Sequence, residues 1–129
     1  MVKIYHETKI PMEVGTQVAG RIDFAIRFDK MQQHTGEHIL SGIVCATYGY
    51  NNVGFHLSTE ITTLDFDGEL SAEQVRDLEI KVNQAIHANI PVQVKFPTKN
   101  ELGEMEYRSK IEIEGQVRIV EIPGIDRCA

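Results

Sequence analysis

Tryptophan is absent and cysteine occurs only twice, at Cys45 and Cys128. Two cysteines cannot build a disulfide framework, and the opening stretch MVKIYHETKI has neither the apolar run nor the small-residue cleavage site of a secretory signal. A reducing, cytoplasmic compartment is expected. Long apolar runs are missing as well. The longest, from Ile39 to Ala46, is interrupted by Gly42 and closed by Thr47, far short of the ~18 residues that span a bilayer. No membrane partner is therefore expected. Positive charge is also scarce: 13 Lys and Arg stand against 19 Asp and Glu, a net charge of −6. That balance excludes a broad, sequence-blind polyanion binder and leaves room for a local basic patch only.

What is present describes one soluble domain spanning 1–129, 42% hydrophobic and 25% charged. A chain of this length buries about two-thirds of its unfolded surface, so it can fold without a metal, and any metal site must be argued separately. Residues 18–28 place Val18, Ile22, Phe24, Ile26 and Phe28 on alternate positions, the period of a half-buried strand. Asp29 then stands as an N-cap before a helix ending near Gly49, with Gly36 and Gly42 as weak points that tertiary packing must hold. Residues 53–58 and 61–67 read as a strand pair, followed by a turn at Asp67-Gly68. Ser71 to Gln74 spells a capping box ahead of Val75, Leu78, Val82, Ala85 and Ile86 at helical spacing. PVQVKF, KIEIEG and QVRIVEI supply three further strands, with a tight turn at Gly115 between the last two. This order lacks the regular alternation of a parallel doubly wound sheet. It predicts an α+β fold, a mainly antiparallel sheet packed with two principal helices.

The chemistry-bearing residues cluster on the first of those helices. His34 and His38 are four apart, so they project from one face with Cβ atoms about 6 Å apart, a bidentate arrangement suited to zinc or to two helix-packing histidines. Cys45 returns to the same face but lies about 10.5 Å further along the axis, too far for a Zn–S bond. It is expected to be a small buried hydrophobe. His34 to His38 also spells the H-x-x-E-H order of inverted zinc peptidases, with Glu37 activating water. Such enzymes need a further carboxylate ligand and a larger substrate chamber, and Glu37 is expected instead to be a solvated carboxylate. His6 and His87 have no partner at useful spacing.

QHTGEHILS (33–41) resembles the QHTxEHxLS segment of alanyl-tRNA synthetase editing domains and of the freestanding AlaX-type proteins that deacylate mischarged alanine tRNA. The resemblance continues in order through VGFHLS (53–58), ITTLD (61–65), the charged helix from Ala72 that leads to Asn89, Pro91 and Val92, and IPGIDRC (122–128). It covers residues 15–129 and implies zinc-dependent, ATP-independent hydrolysis of seryl- or glycyl-tRNA for alanine. It implies metal ligands at His34, His38 and a C-terminal cysteine. In the family that cysteine opens a C-x-x-x-H motif, and Cys128 is either it or stands two residues before it, so the chain is expected to be a fragment of a longer one. Thr35, Glu37 and His56 are the implied catalytic groups, and Phe55 and His56 the implied substrate-binding ones. The implied partner is the acceptor end of aminoacylated tRNA, met by Lys95, Lys99, Arg108, Lys110, Arg118 and Arg127. The competing readings are an inverted-motif peptidase and a noncatalytic tRNA-binding remnant, and the sequence leaves the oligomeric state open.

Overall fold

The computed structural model of the chain describes residues 5–109 and 113–129. Its axis is α1 (Phe24–Tyr48), 25 residues and thus about 37 Å of helix. The antiparallel pair β1 (Asn52–His56) and β2 (Thr63–Phe66) follows, with Phe55 opposite Leu64. Next come α2 (Ala72–His87), β3 (Gln93–Lys95), the short α3 (Lys99–Gly103), β4 (Ile119–Ile122) and β5 (Asp126–Cys128). The last three strands form a second antiparallel sheet in the order β3-β4-β5. The α+β class is as expected, but the strands divide into two small sheets on α1. Helix α1 packs against α2, β1 and β5. The buried apolar residues Ile39, Val44, Leu78, Val117, Ile119 and Ile122 lie where these elements meet.

One local reading is corrected, a second lies partly outside the described residues, and two elements are added. Residues 24–28 are helical, because the carboxylate of Asp23, not Asp29, is the N-cap and accepts from the amides of Ala25 at 3.0 Å and Ile26 at 3.2 Å. Asp29 instead accepts from the Gln33 amide at 2.7 Å, inside the helix. Phe24, Phe28 and Met31 also satisfy helical spacing, and the cap decides between the two periods. Their side chains stay exposed, as do Val18 and Ile22. Second, the strand expected over KIEIEG falls partly outside the described residues, at 110–112. Third, β5 and α3 are additional elements. Thr98 and Glu101 form a capping box around α3, a readable signal of the same kind as the Ser71–Gln74 box that opens α2.

Gly42 explains how the long helix meets the second sheet. A Cβ built there would lie 2.5 Å from the Ile125 carbonyl oxygen and 2.8 Å from Asp126 Cβ, so only glycine lets α1 come this close to the β4–β5 turn. Gly49 ends α1 in the left-handed conformation, φ 73°, its amide donating to the Cys45 carbonyl at 2.9 Å. No described helix is long and apolar enough to cross a membrane.

Candidate metal centre on the first long helix

The four-residue spacing brings the His34 and His38 rings to 5.1 Å between centroids. The His34 ring also stacks on Phe55 of β1, centroids 5.5 Å apart and 25° between planes. The first strand pair thus steadies one imidazole, while the second sheet holds the other. His38 Nδ1 lies 2.9 Å from Asp126 Oδ2. Asp126 is buried and accepts a fork from Arg108, Nε to Oδ1 at 2.7 Å and Nη2 to Oδ2 at 2.9 Å. Burial pushes the Asp126 carboxyl up, but the hydrogen bonds from His38 and Arg108, with their charges, hold it below the usual carboxylate range. His38 is pushed up to about 9, first by its bond to Asp126 and next by Cys128, against the opposing effect of burial, with the charge of Glu37 adding to the rise.

Glu37 is only 6% exposed, which corrects the expectation of a solvated carboxylate. Its Oε1 accepts from the Ser41 hydroxyl at 2.8 Å and from Asn52 Nδ2 at 3.1 Å, and Asn52 also donates to Ser41 Oγ at 3.0 Å. Ser41 lies one helical turn after Glu37, and Asn52 opens β1, so the cluster ties helix to strand. Glu37 Oε2 is 3.8 Å from His38 Nε2.

Donor atoms of His34, Glu37 and His38 all lie within 4.8 Å of one another, and so do those of His38, Asp126 and Cys128. His38 is common to both groups. The donor chemistry fits zinc: two imidazoles, a thiol and carboxylates, one of which already holds the far nitrogen of a histidine. Thr35 is placed differently. Its hydroxyl donates to the Met31 carbonyl at 3.0 Å, and it lines an apolar cavity of about 510 Å³ between α1 and α2, with Phe28, Ile39 and Ile86. His56 is exposed at the end of β1. Cys45 is only half-buried. Of the expected phosphate-binding cations, Arg108 is bound to Asp126, while Lys95 and Arg127 both pair with Glu121. Lys99 and Arg118 have no carboxylate partner among the described residues, and Lys110 is not described. Sequence reasoning gives no role to Asp126, Ser41 or Asn52, and offers Arg108 only as a phosphate-binding cation. Only their three-dimensional neighbours mark them.

Helix and sheets together define a compact histidine–carboxylate–thiol centre able to hold a divalent metal. No family model matches the chain. It is similar to an alanyl-tRNA editing protein of Xenopus laevis, 34% identical over 125 residues, covering 94% of this chain and 30% of that one. The alanyl-tRNA editing protein AlaX-L of Pyrococcus horikoshii is 27% identical over 129 residues, 96% of this chain and 32% of its own. An alanine–tRNA ligase of Methanococcus vannielii is 31% identical over 121 residues, 87% of this chain and 14% of its own. The chain is thus a relative of alanyl-tRNA editing proteins along almost its whole length, as its resemblance implied, and it spans about 30% of the length of the editing proteins it matches.

Proposed function

We propose that residues 1–129 form a single editing-type domain that hydrolyses the ester between a wrong amino acid, serine or glycine, and the tRNA for alanine. It would act on the acceptor end of the tRNA, in the cytoplasm. The observation that carries this reading is the His34–His38 pair, 5.1 Å between rings and set beside the strand that bears Cys128. His34, His38 and a cysteine of the C-terminal segment, Cys128 or one just beyond it, would hold zinc. Bound there, zinc would polarise a carbonyl or lower the pKa of a water. Phe55, against which His34 stacks, and the exposed His56 would border the aminoacyl group. Glu37, whose Oε2 lies 3.8 Å from His38 Nε2, would serve as an acid–base group at the centre. Thr35 would act from the neighbouring helix face. An inverted-motif peptidase would use the same Glu37 and is told apart by cleaving peptides without any requirement for tRNA.

Selection of serine over alanine would need a polar group placed for the serine hydroxyl. Alanine would leave that group unpaired, costing about 1–3 kcal/mol, or about 5- to 150-fold in rate. The test is deacylation of radiolabelled seryl- and alanyl-tRNA by the full-length protein, with and without chelator, beside its Thr35→Ala, Glu37→Gln, His56→Ala and His34→Ala variants. Seryl-tRNA is expected to be hydrolysed faster, with loss of activity on zinc removal and in His34→Ala. Equal rates on both substrates, or rates indifferent to zinc and to His34, would refute the proposal.

A further inference from the structure

We infer that Asp126, clamped by Arg108, is the positioning residue that makes His38 a directed metal ligand and is not itself a ligand. This rests on the reading of His34 and His38 as metal-binding. An ionised carboxylate only accepts hydrogen bonds, so the 2.9 Å contact requires His38 Nδ1 to carry a proton, and Nε2 is the nitrogen that a metal would take once it displaces the proton there. Both oxygens of Asp126 are already engaged. Oδ1 accepts from Arg108 Nε, and Oδ2 accepts from both Arg108 Nη2 and His38 Nδ1. Its nearness to Cys128 therefore reflects its place two residues earlier on β5, with the task of holding the ring.

The clamp is fixed from behind. The Arg108 amide donates to the Arg127 carbonyl at 2.8 Å, and the Arg108 carbonyl accepts from the Ala129 amide at 2.9 Å. The guanidinium thus projects from backbone already tied to the strand that carries Asp126. The side chain of Asp126 is 2% exposed, so water cannot easily replace either partner. A carboxylate behind a ligating imidazole fixes its tautomer and orientation and strengthens the other nitrogen as a donor.

The experiment measures zinc affinity by competition with a chromophoric chelator, together with thermal melting, in the full-length protein. The variants are His38→Ala, Asp126→Asn, and the double Asp126→Ala/Arg108→Met, which removes both members of the ion pair so that no charge is left buried alone. The double variant is expected to bind zinc about 10- to 100-fold more weakly than wild type. Asp126→Asn should fall between them, because its amide oxygen still accepts from Nδ1. Wild-type affinity in a folded double variant, with His38→Ala weakened, would overturn the positioning role and leave the metal reading standing. Wild-type affinity in His38→Ala would overturn the metal reading itself and the inference with it. Should the double variant fail to fold, Asp126→Asn decides: a severalfold loss at an unchanged melting temperature supports the role, and unchanged affinity overturns it.

Discussion

Replacing Gly42 by alanine separates helix propensity from packing, because Gly36 on the same helix provides an internal reference. Each substitution gains about 1 kcal/mol from alanine's preference for the helix interior. At Gly36 an added Cβ meets nothing within 4 Å, so that gain is the whole expected effect. At Gly42 the same atom would stand 2.5 Å from the Ile125 carbonyl oxygen, where ordinary contact begins at 3.4 Å. The obstacle is backbone, which cannot swing aside as a side chain can. Helix α1 and the β4–β5 turn must part by about 1 Å, an overpacking cost of about 1–3 kcal/mol. The helix gain is common to both variants, so their stabilities should differ by that cost alone, with Gly42→Ala the weaker. Urea denaturation followed by far-ultraviolet circular dichroism, at equal m-values, measures the difference. The parting would also draw Asp126 from His38, so zinc affinity should fall in Gly42→Ala and hold in Gly36→Ala. Two variants equally stabilised would refute the close approach and the account of how α1 meets the second sheet.

Removing Asn52 should expose the dependence of Glu37 on its buried donors: Asn52→Ala takes one hydrogen bond from a carboxylate that is 6% exposed, and a loss of about 1–3 kcal/mol is expected in urea melts. No loss would mean that Glu37 is satisfied without it. Acid should act through Asp67, which accepts from the Asn51 amide at 2.6 Å and from Asn51 Nδ2 at 2.9 Å, closing the open end of the β1–β2 pair. The Asn51 side chain, and then its backbone amide, hold the Asp67 carboxyl below its ordinary value. The unfolded chain therefore takes up that proton more readily than the folded one. The stabilisation is complete above the unfolded value of about 4 and is lost as pH falls through the lower folded one. Wild type should exceed Asp67→Asn in urea midpoint near neutrality and converge with it in strong acid, and a gap that widens on acidification would refute the assignment.

Elements whose signals are local were legible. The Ser71–Gln74 capping box, the Gly49 terminus and the alternation of Leu64 and Phe66 each depend on neighbours a few residues away, and each is found in place. Residues 22–28 misled because Ile22, Phe24, Ile26 and Phe28 fit a strand while Phe24, Phe28 and Met31 fit a helix, and the decision rests on one carboxylate at Asp23. The paired histidines could be read because a helix fixes their separation. Their supports could not: Glu37 looks like a surface carboxylate until Asn52 is folded over it, and Asp126 has no local feature that ties it to His38. Spacing reports what shares an element, whereas burial and hydrogen bonding across elements depend on which surfaces the fold brings together.

The 88-residue separation of His38 and Asp126 along the chain also sets an order in time. At about 5–20 residues per second, the two imidazoles are synthesised about 4–18 s before the carboxylate that holds one of them. During that interval α1 can form, since its cap and its glycine terminus are its own, but His38 has nothing to fix its ring and Gly42 faces no strand. The centre is therefore finished late, when β5 docks on a helix made long before, and a nascent chain halted short of Asp126 would carry both histidines without a preorganised site for the metal.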